Sequence, residues 1–111
     1  MEPSDVFDRL MAEVHQRARE MPEGSYTTKL IEGGVASMGA KITEEAAEVV
    51  DAADKSTAPD NDHLVYEACD LIYHLWVLLG SRSVTVDQLR AELERREGTS
   101  GLKEKASRGD K

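Results

Sequence analysis

Two stretches of this sequence carry acids at a spacing that gathers them on one face of a helix. The first holds Lys41, Glu44, Glu45 and Glu48, and the second holds Glu67, Asp70 and His74. A helix turns about 100° per residue, so positions 41, 45 and 48 fall within about 60° of one another, with Glu44 just beside them. Positions 67, 70 and 74 share a face in the same way. Like charges one turn apart destabilise a helix by a few tenths of a kcal/mol per pair, and partial burial adds to that. A divalent cation removes the conflict. Mg²⁺ suits such a donor set, because it prefers hard oxygen ligands and keeps positions open for water and phosphate. Glu45, Glu48, Glu67 and Asp70 are therefore the expected metal ligands, with a solvated charged face as the competing reading.

The neighbours of these acids each have a structural reading and a chemical one. Lys41 is either an i, i+4 partner of Glu45 or a phosphate contact. His74, alone on a mostly apolar face, reads first as a hydrogen-bonded core residue. Cys69 reads as a small packed residue, since no basic partner is near it in sequence to activate a thiolate. Trp76 and the leucines around it are core or interface.

Elements must hold these residues in place. Val6, Phe7, Leu10, Met11 and Val14 have helical spacing after Ser4, a candidate N-cap, and Pro22 and Gly24 end that helix. Ser25 opens a short helical turn that breaks at Gly33-Gly34. A long helix is expected from about Val35 to Lys55, with Met38, Ile42, Ala46, Val49, Val50 and Ala53 as its apolar stripe. The segment Ser56 to Asn61 is a loop, and a third long helix runs from about His63 to Leu79, ended by Gly80. Thr85 caps a further helix that ends by Gly98. No stretch shows useful strand alternation. The fold class is all-α, a helical bundle of about four helices, read as a single domain over 1–97 and a Gly-, Ser- and charge-rich tail over 98–111.

Bulk properties narrow the field. The chain has 111 residues and a formal net charge of -8, which argues against binding nucleic acid through phosphate neutralisation. Aromatics are only 5%, so a core shared between copies in a homo-oligomer is a natural expectation. One cysteine gives no internal disulfide. Neither a signal peptide nor a membrane span is expected, and a cytoplasmic protein is the default.

In combination, these motifs resemble a known family. Glu44-Glu45-Ala46-Ala47-Glu48 followed by Glu67-Ala68-Cys69-Asp70 is similar to the E-E-x-x-E … E-x-x-D signature of all-α, MazG-like nucleotide pyrophosphohydrolases. More narrowly, the chain resembles the phosphoribosyl-ATP pyrophosphatases of histidine biosynthesis. Ser25-Tyr26-Thr27 with Leu30 resembles their S-Y-T-x-x-L, and Lys41 to Ala46 their K-V-G-E-E-A. Glu67 to Leu75 resembles E-A-A-D-L-L-Y-H-L, and Gly98 to Arg108 a G-x-S-G-x-x-E-K-A-x-R ending. Thr43 departs from the glycine most common there.

The resemblance implies a bundle that dimerises and needs Mg²⁺. It implies hydrolysis of phosphoribosyl-ATP between the α and β phosphates, giving phosphoribosyl-AMP and pyrophosphate. On that reading Glu44 or Glu48 polarises the attacking water, and Lys41 holds a phosphate. Tyr73 and His74 contact substrate or brace the acids, and Ser25, Tyr26 and Thr27 close the pocket. Lys105 and Arg108 are further phosphate contacts from the tail. Two other functions fit the acids: a house-cleaning pyrophosphatase acting on dCTP, dUTP or other nucleoside triphosphates, and a non-enzymatic acidic dimerisation module.

Overall fold

The structure is a computed structural model that describes residues 5–55, 61–99 and 101–107. Six helices follow one another: α1 (Val6–Glu20), α2 (Tyr26–Glu32), α3 (Gly34–Lys55), α4 (Asp62–Ser81), α5 (Val86–Arg96) and α6 (Gly101–Ser107). There is no strand among the described residues. The count exceeds the expected four because the Ser25 turn forms a full short helix and part of the tail is helical. No helix among the described residues is long and apolar enough to cross a membrane.

The caps show why the helices begin where they do. Asp5, rather than Ser4, is the N-cap of α1, and it accepts from the backbone N–H groups of Phe7 and Asp8. Ser4 and most of the 56–61 loop lie outside the described residues, as does Arg108. Ser25 caps α2 by accepting from Thr28 N–H. Thr85 and Gln88 form a reciprocal capping box at α5. Met21 closes α1 in the left-handed region, just ahead of Pro22. Gly34 has φ of +74° and makes the break between α2 and α3.

The long pair α3 and α4 is the frame, with α1 packed along α4, α2 wedged against α1, α3 and α4, and α5 against α1. The buried positions of α3 are Met38, Glu45 and Ala52, and those of α4 include Glu67, His74 and Val77. The seven-residue steps from 38 to 45 to 52 and from 67 to 74 are those of a two-helix seam, where each buried row faces the partner helix. The expected α3 stripe is displaced as a result. Val50 and Ala53 are exposed, and Ile42, Ala46 and Val49 are half-buried.

Gly80 does not end α4, which continues to Ser81. A Cβ at Gly80 would run into Val14 Cγ1 and lie 3.2 Å from Met11 Sδ, so this glycine is what lets α1 lie close against α4. Trp76 Nε1–H donates to the Phe7 carbonyl at 3.0 Å, and His15 Nε2 meets the Val84 carbonyl at 2.8 Å. These bonds pin α1 at its first turn and again at His15. The core consists of Met11, Val14, Leu30, Met38, Trp76, Val77 and Val86, with half-buried leucines around it.

Candidate active site

Glu45 and Glu67 occupy buried positions in the α3–α4 seam, at 5% and 8% exposure. The sequence placed these acids beside the core surface, but the structure places them within it. Oxygens of Glu45, Glu67 and the half-buried Asp70 all lie within 4.8 Å of one another. Glu45 Oε2 and Glu67 Oε2 are buried without a hydrogen-bond partner. An unpaired buried carboxylate oxygen is costly to leave uncompensated, and three carboxylates with oxygens this close call for positive charge.

Glu48, one helical turn on from Glu45, is exposed and stands at the rim of the cluster. Its charge acts on both buried carboxyls. Burial pushes the Glu45 carboxyl above its ordinary range, and the charges of Glu48 and Asp70 push it further. For Glu67 the contact with Glu48 is the largest upward influence, followed by burial and the Glu48 charge. Both shifts have one origin, negative charge crowded into a poorly solvated place.

Glu44 lies outside the cluster. It faces solvent and pairs with Lys41, whose Nζ is 3.4 Å from Glu44 Oε2 and 4.0 Å from Glu45 Oε1. The Glu44 contact holds the Lys41 ammonium above its usual range. His63, which the spacing argument passed over, brings Nε2 to 3.8 Å from Glu67 Oε1. Its i, i+4 relation to Glu67 was the available signal.

The Ser-Tyr-Thr segment and the Tyr-His pair bond mainly to each other. Tyr26 OH is 2.9 Å from His74 Nε2, and Thr27 Oγ1 is 2.7 Å from Tyr73 OH. Thr27 and His74 are buried, while Tyr26 is 49% exposed. The Ser25 hydroxyl is taken up by the α2 cap. His74 is indeed a hydrogen-bonded core residue, and its Nδ1 is 3.8 Å from Glu45 Oε1, which sets it behind the acids. Cys69 is exposed rather than packed.

The converging donors are all carboxylate oxygens, which selects a hard cation over one that prefers thiolate or imidazole. The two unpartnered oxygens fit such an ion, so this cluster could hold a metal. Fold and site together define an all-α bundle with a carboxylate cluster set into its central helix pair.

Residues 7–97 match the model of the family described as PRA-PH, phosphoribosyl-ATP pyrophosphohydrolase, and the chain belongs to that family. It is 56% identical to a phosphoribosyl-ATP pyrophosphatase of Rhodopirellula baltica, over 92% of this chain and 85% of the relative. A phosphoribosyl-ATP pyrophosphatase of Rhodobacter capsulatus is 48% identical, over 94% of this chain and 98% of its own. A histidine biosynthesis bifunctional protein of Wolinella succinogenes is 45% identical over 95% of this chain, which corresponds to 44% of that longer protein.

Proposed function

We propose that this protein hydrolyses 1-(5-phosphoribosyl)-ATP to 1-(5-phosphoribosyl)-AMP and pyrophosphate, a step of histidine biosynthesis. Membership of the family supports the substrate. The observation that carries the chemistry is the cluster of Glu45, Glu67 and Asp70 oxygens within 4.8 Å, in which both buried glutamates keep an oxygen without a hydrogen-bond partner. A non-enzymatic acidic module would leave its acids in water.

Glu45, Glu67 and Asp70 would hold Mg²⁺ from the seam, and Glu48 would complete the set from the rim. When bound, the ion neutralises phosphate charge and polarises the P–O bond to be broken. Glu48 is better placed than Glu44 to take a proton from the attacking water, because it adjoins the cluster while Glu44 is turned to Lys41. The water oxygen bonds to phosphorus, the bridging P–O bond breaks, and pyrophosphate leaves with that oxygen. Lys41 exchanges its long contact with Glu44 for a substrate phosphate, as a mobile point charge. Tyr26, exposed beside Tyr73, lines the entrance. Thr27, Tyr73 and Ser25 shape the wall through the bonds they make within the fold.

A homodimer with a shared core fits the apolar side chains left exposed on α3 and α4, among them Val35, Val50, Val65 and Tyr66. A cytoplasmic setting suits a biosynthetic step of this kind.

A substrate panel tests the proposal. Purified protein with Mg²⁺ should release pyrophosphate from phosphoribosyl-ATP far faster than from dCTP or dUTP. A preference for the deoxynucleotides would favour the house-cleaning reading. Glu48→Gln should abolish release with its helical circular dichroism unchanged, while Glu44→Gln should stay active.

A further inference from the structure

His74 is buried on α4, one turn beyond Asp70, at 6% exposure. Its Nδ1 lies 2.9 Å from the Asp70 carbonyl oxygen. A carbonyl only accepts, so Nδ1 carries the hydrogen, and in the neutral ring Nε2 is left as an acceptor. Among the described residues Nε2 is met by the Tyr26 hydroxyl at 2.9 Å, which therefore donates. The Tyr26 ring stands edge-on to His74, with centroids 5.8 Å apart at 85°. It lies nearly parallel to Tyr73, at 6.4 Å and 15°. Tyr73 is fixed in turn by Thr27. The half-exposed Tyr26 ring is thus tied from behind, and its hydroxyl oxygen keeps only acceptor capacity toward the site.

We propose that His74 is a positioning residue: held by the Asp70 carbonyl, it locks Tyr26 as an aromatic wall for a nucleotide beside the acid cluster, and touches neither substrate nor metal. This rests on the functional reading above. It separates two neighbours in sequence, since the buried His74 acts only through Tyr26, which meets the ligand.

Two measurements test it. Long-range ¹H–¹⁵N correlation spectra of the intact protein, with His74 assigned by His74→Gln, should show the ring protonated on Nδ1 and bare on Nε2. A ring protonated on Nε2 would overturn the proposal. In kinetics, Tyr26→Phe and His74→Leu should each raise KM about tenfold and change kcat less than threefold. The double variant should be no worse than either single one, because both remove the same bond. His74→Gln, which keeps an acceptor where Nε2 stood, should restore KM. Additive losses, a fall in kcat at constant KM, or wild-type kinetics for Tyr26→Phe would each refute the positioning role. If the wild-type protein released no pyrophosphate, the functional reading would fail, and the tautomer would still decide the state of His74.

Discussion

Replacing Glu45 by Gln should make the metal-free protein more stable and the metal-loaded protein less so. The magnitude follows from the geometry. Glu45 and Asp70 present oxygens within 4.8 Å. Two unit charges at that distance repel by about 3.5 kcal/mol at an effective dielectric constant of about 20. Asp70 is only half-buried, and water on that side screens the pair, so a gain of about 1–2 kcal/mol is expected when Glu45 becomes neutral. About 1 kcal/mol moves the midpoint of a small domain by about 4–8 °C. In chelator at pH 8 the variant should therefore melt at least about 4 °C above wild type. A bound ion adds about 2.7 kcal/mol at a hundredfold excess over Kd. Wild type should gain that in Mg²⁺ and the variant should lose most of it, so their order reverses. Scanning calorimetry of both proteins, with chelator and with 10-fold steps of Mg²⁺, reads this directly. A variant less stable than wild type in chelator, or one with an undiminished Mg²⁺ shift, would refute the reasoning.

Other outcomes follow from the same structure. Without metal, the Glu45 carboxyl has a higher pKa folded than its ordinary 4.5, so the folded state takes up protons first. Stability should then rise as pH falls from neutral through the folded pKa toward 4.5, and the Mg²⁺ shift should shrink over the same window. Urea melts across pH 8 to 5 check both. Asp8 shows the opposite sign. Hydrogen bonds from Arg90, at 2.8–2.9 Å, hold it far below its ordinary 3.8, and Arg95 and Arg96 bring Glu92 down to about 2. Their contributions are present above the ordinary carboxylate range and fade as pH falls through the folded values. Asp8→Asn should accordingly lower stability most at pH 7, with a smaller effect as pH falls below 3.8. Gly80→Ala should cost about 1–3 kcal/mol by forcing Val14 and Met11 away from α4, with the Mg²⁺ shift retained; thermal melts separate the two.

Much of this was legible in the residues. Ser25 and Thr85 announced their helices because capping is local chemistry that depends on the next three residues. The acids could be grouped because helical periodicity fixes which positions share a face. What the sequence could not show was depth. Whether Glu45 lies at the edge of a seam or inside it depends on how α3 and α4 rotate against each other, which is set by contacts distant in sequence. The same limit explains Gly80: a glycine after a leucine run reads as a stop until α1 is seen pressed against it. The family resemblance assigned Ser25, Tyr26 and Thr27 to closing the pocket, and Tyr73 and His74 to contacting substrate or bracing the acids. In the structure most of them bond to one another or to the backbone across α2 and α4, and Tyr26 alone among them is exposed.

The central claim is that the α3–α4 carboxylates act through a divalent cation on a nucleotide anhydride. The most direct measurement is pyrophosphate release from phosphoribosyl-ATP by protein stripped with chelator and then titrated with Mg²⁺. The account predicts no release in chelator, and restoration on adding Mg²⁺ for wild type but not for Glu45→Gln or Glu67→Gln. Full turnover in excess chelator, or restored activity in those variants, would contradict it.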